Sequence, residues 1–186
     1  MSEQSIRIRK IVYAAVCIAL ALVLPLLLGQ VQIFMQGVSP MHIPALLCGL
    51  VCGPVYGVAV GFICPILRSA IFSMPVMYPT ALAMAFELAA YGLLTGLFYQ
   101  VFHKLGFWPR VYLSLILAMI LGRFVGGIAQ AILLGIKGEG YSLSMFATAY
   151  FAKTSVGMVV HLIVIPAVFF ALKKAGLLIE NGKKEA

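Results

Sequence analysis

Aspartate is missing altogether from this sequence, and acidic residues total only 5 in 186. Of these, only Glu87 lies inside a long apolar run, so no pair of carboxylates is placed for acid–base work on a buried substrate. Charged residues of both signs make up 10% of the chain, too few to give a globule of this length a solvated surface. The pattern G-x-x-x-x-G-K-[ST] does not occur, which excludes a phosphate-cradling loop and any ATP-driven work by this chain alone. G-x-S-x-G and H-E-x-x-H are also missing, so serine-hydrolase and zinc-protease chemistry lack their nucleophile and ligands. No two related halves can be traced, although conventional secondary carriers are built from such repeats. The expectation is a protein that is not an enzyme, with no catalytic residue, cofactor or metal.

What the chain has in quantity is apolar sequence: 63% of residues, with a mean hydropathy of +1.11. About 20 apolar residues in a helix cross a bilayer core. The run 11–28 carries no charge and follows Arg7, Arg9 and Lys10, as a signal peptide would. It is too long for a typical signal core and lacks a small-x-small cleavage site, so it is read as a retained first span. Six spans are predicted, at 8–28, 41–53, 56–72, 79–102, 110–136 and 142–172. They describe an all-α integral membrane protein, a single bundle of six transmembrane helices forming one domain over 1–186.

A net charge of +8 invites a nucleic-acid reading, but most basic residues flank the apolar runs and set membrane orientation instead. With the N-terminus inside, Arg7, Arg9, Lys10, Lys104, Arg110, Lys173, Lys174, Lys183 and Lys184 all fall on the cytoplasmic side, against Lys137 alone on the other. Both termini are therefore expected in the cytoplasm, and the chain in the cell (cytoplasmic) membrane as a multi-pass protein. The four cysteines, Cys17, Cys48, Cys52 and Cys64, lie inside spans. Cys48 and Cys52 share a helical face that could hold a metal, but buried cysteines act chiefly as small apolar packing residues, which is the expectation.

Gly49, Gly53, Gly57 and Gly61 recur every four residues, and Gly92/Gly96 and Gly122/Gly126 repeat the interval. Small residues so spaced let helices approach closely where no hydrophobic force drives them together. Ala15 and Ala19, with Cys17 and Ala21, put a similar groove on the first span, suited to internal packing or to a partner's helix.

Ionisable groups at membrane depth are costly and mark candidate sites. Here they are Arg68, Glu87, Arg123 and Lys153. Glu87 lies on a stripe with Thr80, Met84 and Tyr91; Arg123 with Gly127 and Gln130; Lys153 with Tyr150, Gly157 and His161. Three such stripes can converge on one cavity. Glu87 could pair with Arg123 as a packing device, yet one carboxylate cannot neutralise three cations. A bound anion would satisfy the remainder. Arg68 has the alternative of reaching the headgroups. His161 is expected in a helix–helix hydrogen bond; His42 is either a contact of the site's lid or an interfacial residue, the latter being expected. The candidate substrate-binding set is Arg68, Glu87, Tyr91, Arg123, Gln130, Lys153 and Gly157.

The segment Met41-His-Ile-Pro-Ala-Leu-Leu-Cys-Gly49, followed by Gly53-Pro-Val-Tyr-Gly57 and Gly61, resembles a hairpin of the substrate-capture (S) components of energy-coupling factor (ECF) vitamin transporters. Length, six-helix plan and basic ends extend the resemblance over the chain. It implies a membrane complex with a transmembrane coupling protein and two ATPases, in which this chain takes up a vitamin from outside and tips to release it within. Ala15-x-x-x-Ala19 is similar to the docking motif for the coupling protein, and residues 31–39 would be the lid. Pro65-Ile-Leu-Arg68-Ser-Ala-Ile-Phe72, Met77-Tyr-Pro and Ala85-Phe-Glu87 look most like the pantothenate-type branch. Nicotinate or another carboxylated vitamin meets the same charge demand, and a small oligomeric exporter or channel is the alternative from another class.

Overall fold

A computed structural model describes residues 3–28, 38–152 and 154–178. Among these the regular elements are all helical: α1 (Glu3–Leu28), α2 (His42–Cys52), α3 (Pro54–Phe72), α4 (Leu82–Val101), α5 (Phe107–Lys137), α6 (Leu143–Ala147) and α7 (Ser155–Lys174). A short turn, Met77–Ala81, leads into α4, with Tyr78 extended inside it. A wider helical turn, Thr148–Ala152, follows α6.

Five stretches are long and apolar enough to cross a membrane: α1, α3, α4 with its flanking turns, α5, and α6 through α7. The second predicted span is the one that differs. Helix α2 has 11 residues, about 16 Å at ~1.5 Å per residue, or roughly half a hydrocarbon core.

The corner between α2 and α3 is local chemistry. Gly53 adopts φ 94°, which a side chain would resist, and its N–H closes α2 on the Gly49 carbonyl. Pro54 then begins α3, where its missing N–H costs nothing. At the end of α5, Gly138 takes φ 80° and caps the helix. Ser142 starts α6 by accepting a bond from the Met145 N–H at 3.3 Å.

Helix α4 is the centre of the bundle, packed against α2, α3 and α5. The predicted small-residue spacing supplies the contacts. A methyl group on Gly49 or on Gly57 would lie 2.5 Å from the Gly92 carbonyl oxygen, so α2 and α3 share one close approach to α4. Gly96 meets Pro54, and Gly122 and Gly126 of α5 receive the Tyr91 ring and the Glu87 stem. Gly53 belongs to the same four-residue series but serves the turn.

One end of the bundle gathers the start of α1, the Gly53 corner, the 102–106 connection and the end of α7. The Cys52 thiol reaches the Lys10 carbonyl, the Arg110 guanidinium lies 3.8 Å from the centre of the Tyr99 ring, and the Lys173 ammonium sits 4.2 Å above Phe107. We call this the basic end. The turns 73–76 and 138–142 form the far end. Helix α1 is the least enclosed: Ile8, Ile11, Val12, Val16, Leu20, Val23 and Leu27 are exposed. Ala15 and Ala19 lie on this outward surface, while Cys17 and Ala21 face the core, so the expected groove divides between two faces. All four cysteines are free thiols and buried.

Candidate functional site

At the amino end of α2 lies a cavity of about 300 Å³ between α4, α5 and the α6–α7 region, bordered by Val38, Ser39 and His42. The volume suits a small organic molecule.

Glu87 projects into it from α4. Its Oε1 accepts a 2.6 Å hydrogen bond from the Tyr91 hydroxyl one turn on and stands 3.8 Å from Nε2 of His42. The other nitrogen of His42 lies 3.1 Å from the Ser39 carbonyl, to which it donates. His161, from α7, stacks on His42 with ring centres 5.8 Å apart. Glu87, His42 and His161 are all buried, so the side of the cavity nearest the basic end is lined by enclosed polar groups.

Arg123 enters from α5. Its Nη1 donates to the Tyr150 carbonyl and the Thr154 hydroxyl, and its Nη2 to the Thr154 carbonyl at 3.4 Å. The winding at Thr148–Ala152 departs from the regular α pattern, and there the Tyr150 carbonyl also accepts from the Thr154 hydroxyl and the Thr154 carbonyl from the Met158 N–H. Arg123 adds a charged donor to each. It both borders the cavity and ties α5 to the break that shapes the opposite wall.

Glu87, Arg123, Gln130 and Gly157, all expected from the sequence, line this one cavity, together with Thr80 and Met84 of the Glu87 stripe. Tyr91 does not line it; the ring is buried behind Glu87 and packs against Gly122. Arg68 does not line it either. It shares with Gly61 and Cys64 the face of α3 turned into the bundle, is 8% exposed, and its Nε has no hydrogen-bond partner. It therefore does not reach out as a snorkelling arginine would. Lys153 and residues 31–37 of the expected lid lie outside the described residues.

Among the described residues, no ion pair joins Glu87 to Arg123; Glu87 is served by Tyr91 and His42, and Arg123 by carbonyls. His42 is a cavity residue rather than an interfacial one, and His161 faces the cavity as well. Tyr141, Thr154 and Met145 complete the wall and were not expected. The i, i+3, i+4 spacing through Tyr150, Thr154, Gly157 and His161 could have revealed Thr154. Tyr141 precedes α6 on an irregular turn, where no periodicity exists to mark it. No group of three or more His, Cys, Asp or Glu among the described residues is arranged to hold a metal ion.

The family model for the ECF transporter substrate-specific component matches residues 9–179. Neither a curated protein nor a solved structure matches the chain.

Proposed function

The chain belongs to the family of ECF transporter substrate-specific components, and on that premise we propose that it captures a small carboxylated vitamin, pantothenate first among them, in the cavity beyond α2. Members of this family are membrane transport subunits and not enzymes, and they work in a complex with the ECF module. The observation that carries the proposal is the cavity itself, where Glu87, Arg123, His42 and His161 converge inside a bundle of membrane-length helices.

Its chemistry suits pantothenate. Arg123 brings a fixed positive charge to the wall, and Lys153 adjoins that wall in sequence. A carboxylate is complementary to both. Glu87 and the histidines can accept hydrogen bonds from hydroxyl groups. Gln130 and Gly157 extend the wall, and Tyr91 holds Glu87 in place. Nicotinate satisfies the charge but offers no hydroxyl to Glu87.

The remaining parts of the proposal concern assembly. Six helices with both termini in the cytoplasm place the cavity on the external half of the membrane, because it lies toward the end away from the basic residues. Ala15 and Ala19 sit on the outward face of α1, where a coupling protein serving two ATPases could approach closely.

Purified protein should retain pantothenate detectable by mass spectrometry and bind it in a calorimetric titration. Retention of a neutral or cationic molecule, with no response to pantothenate or nicotinate, would refute the anion assignment. Failure to co-purify with any ATPase would favour an oligomeric exporter.

A further inference from the structure

Among the described residues, Nε2 of His161 and the Tyr141 hydroxyl are buried polar atoms on this cavity with no hydrogen-bond partner. His161 is only 3% exposed. Native interiors leave few such atoms unpaired, because each has given up water without compensation.

The two atoms are chemically opposite. Val38 and Ser39 line the same cavity as His161. In a neutral imidazole whose proton sits on the other nitrogen, Nε2 is a bare acceptor. Tyr141 lies on the turn ahead of α6, outside the spans. Burial and the Glu87 charge push its phenol above the ordinary range, so the hydroxyl keeps its proton and donates.

Their positions are opposed as well. His161 stacks on His42 beside the first turn of α2, on the side nearest the basic end. Tyr141 follows the cap of α5 at the far end. With Glu87 adding its oxygen near His42, acceptors collect at one side and a donor stands at the other.

We infer that His161 and Tyr141 read the orientation of the ligand. Nε2 of His161 accepts from a hydroxyl or N–H at the inner end, and the Tyr141 hydroxyl donates to a carboxylate or carbonyl oxygen at the outer end. The substrate class is therefore a chain with a hydrogen-bond donor at its head and an acid at its tail, bound head first. This rests on the capture function proposed above and adds the polarity with which the molecule enters.

The test is calorimetric titration of the full-length protein with three probes: pantothenate, panthenol (an alcohol replaces the acid), and the pantothenate analogue lacking its primary hydroxyl. His161→Phe should weaken pantothenate about tenfold, while the hydroxyl-free analogue changes by less than about twofold. Tyr141→Phe should weaken pantothenate and the hydroxyl-free analogue about tenfold each, and panthenol by less than about twofold. His161→Asn restores an acceptor and should recover part of the loss. Should His161→Phe fail to fold, Tyr141→Phe, which alters only a turn residue, and His161→Asn carry the comparison. Losses of equal size for all three probes would overturn the inference while leaving capture intact. A wild-type protein that binds none of the probes would refute capture by this chemistry, and the inference with it.

Discussion

At the residue scale, Glu87 and Arg123 look alike in the sequence, as lone charges in apolar helices, yet they have different duties. Arg123 spends its hydrogen bonds on the carbonyls of Tyr150 and Thr154, so it supports the wall as well as charging it. Arg123→Ala should lower both the melting temperature and pantothenate affinity, the latter by about 1.5–3 kcal/mol, the scale of a hydrogen bond to a charged group. Glu87→Gln keeps an acceptor for the Tyr91 hydroxyl. It should melt close to wild type and lose about 1–2 kcal/mol of affinity. Thermal melting in detergent beside a binding titration separates the two. A Glu87→Gln protein that melts early yet binds normally would make Glu87 a structural counter-charge. That Glu87, Arg123, Gln130 and Gly157 would share one cavity was legible because they lie on regular helices, where spacing fixes direction. Arg68 was expected among them, but depth along a span says nothing about which neighbour a side chain faces, and its face is the one packed into the bundle.

At the scale of elements, the glycine spacing foretold the central packing because close helix approach has few sequence solutions. The reach of α2 could not be read the same way. Its apolar run looks like any other, and only the folded chain reveals that the helix is 11 residues long and that a cavity lies at its amino end. Helix α1 offers the sharpest test of an element's role. Its Ala15/Ala19 face is outward while Cys17 and Ala21 hold it to the core. Ala15→Leu or Ala19→Leu should therefore leave ligand binding by the isolated subunit intact and block uptake in cells. Normal uptake in both variants at equal expression would remove the docking role.

For the whole molecule, the fold class was legible from hydropathy alone, since 63% apolar residues in runs of this length have no soluble solution. The sidedness proposed from the basic residues predicts that Glu139, at the far end, meets the exterior and Lys104, at the basic end, meets the cytoplasm. The four buried cysteines bear on how that can be seen. A water-soluble maleimide attacks thiolates, and sulfur atoms enclosed within the bundle present none to it. The unmodified chain should stay dark to such a reagent, so topology can be mapped without first removing any native thiol. Glu139→Cys should label in intact cells, and Lys104→Cys only after the membrane is opened. The opposite pattern would invert the orientation, and with it the side from which the cavity is loaded.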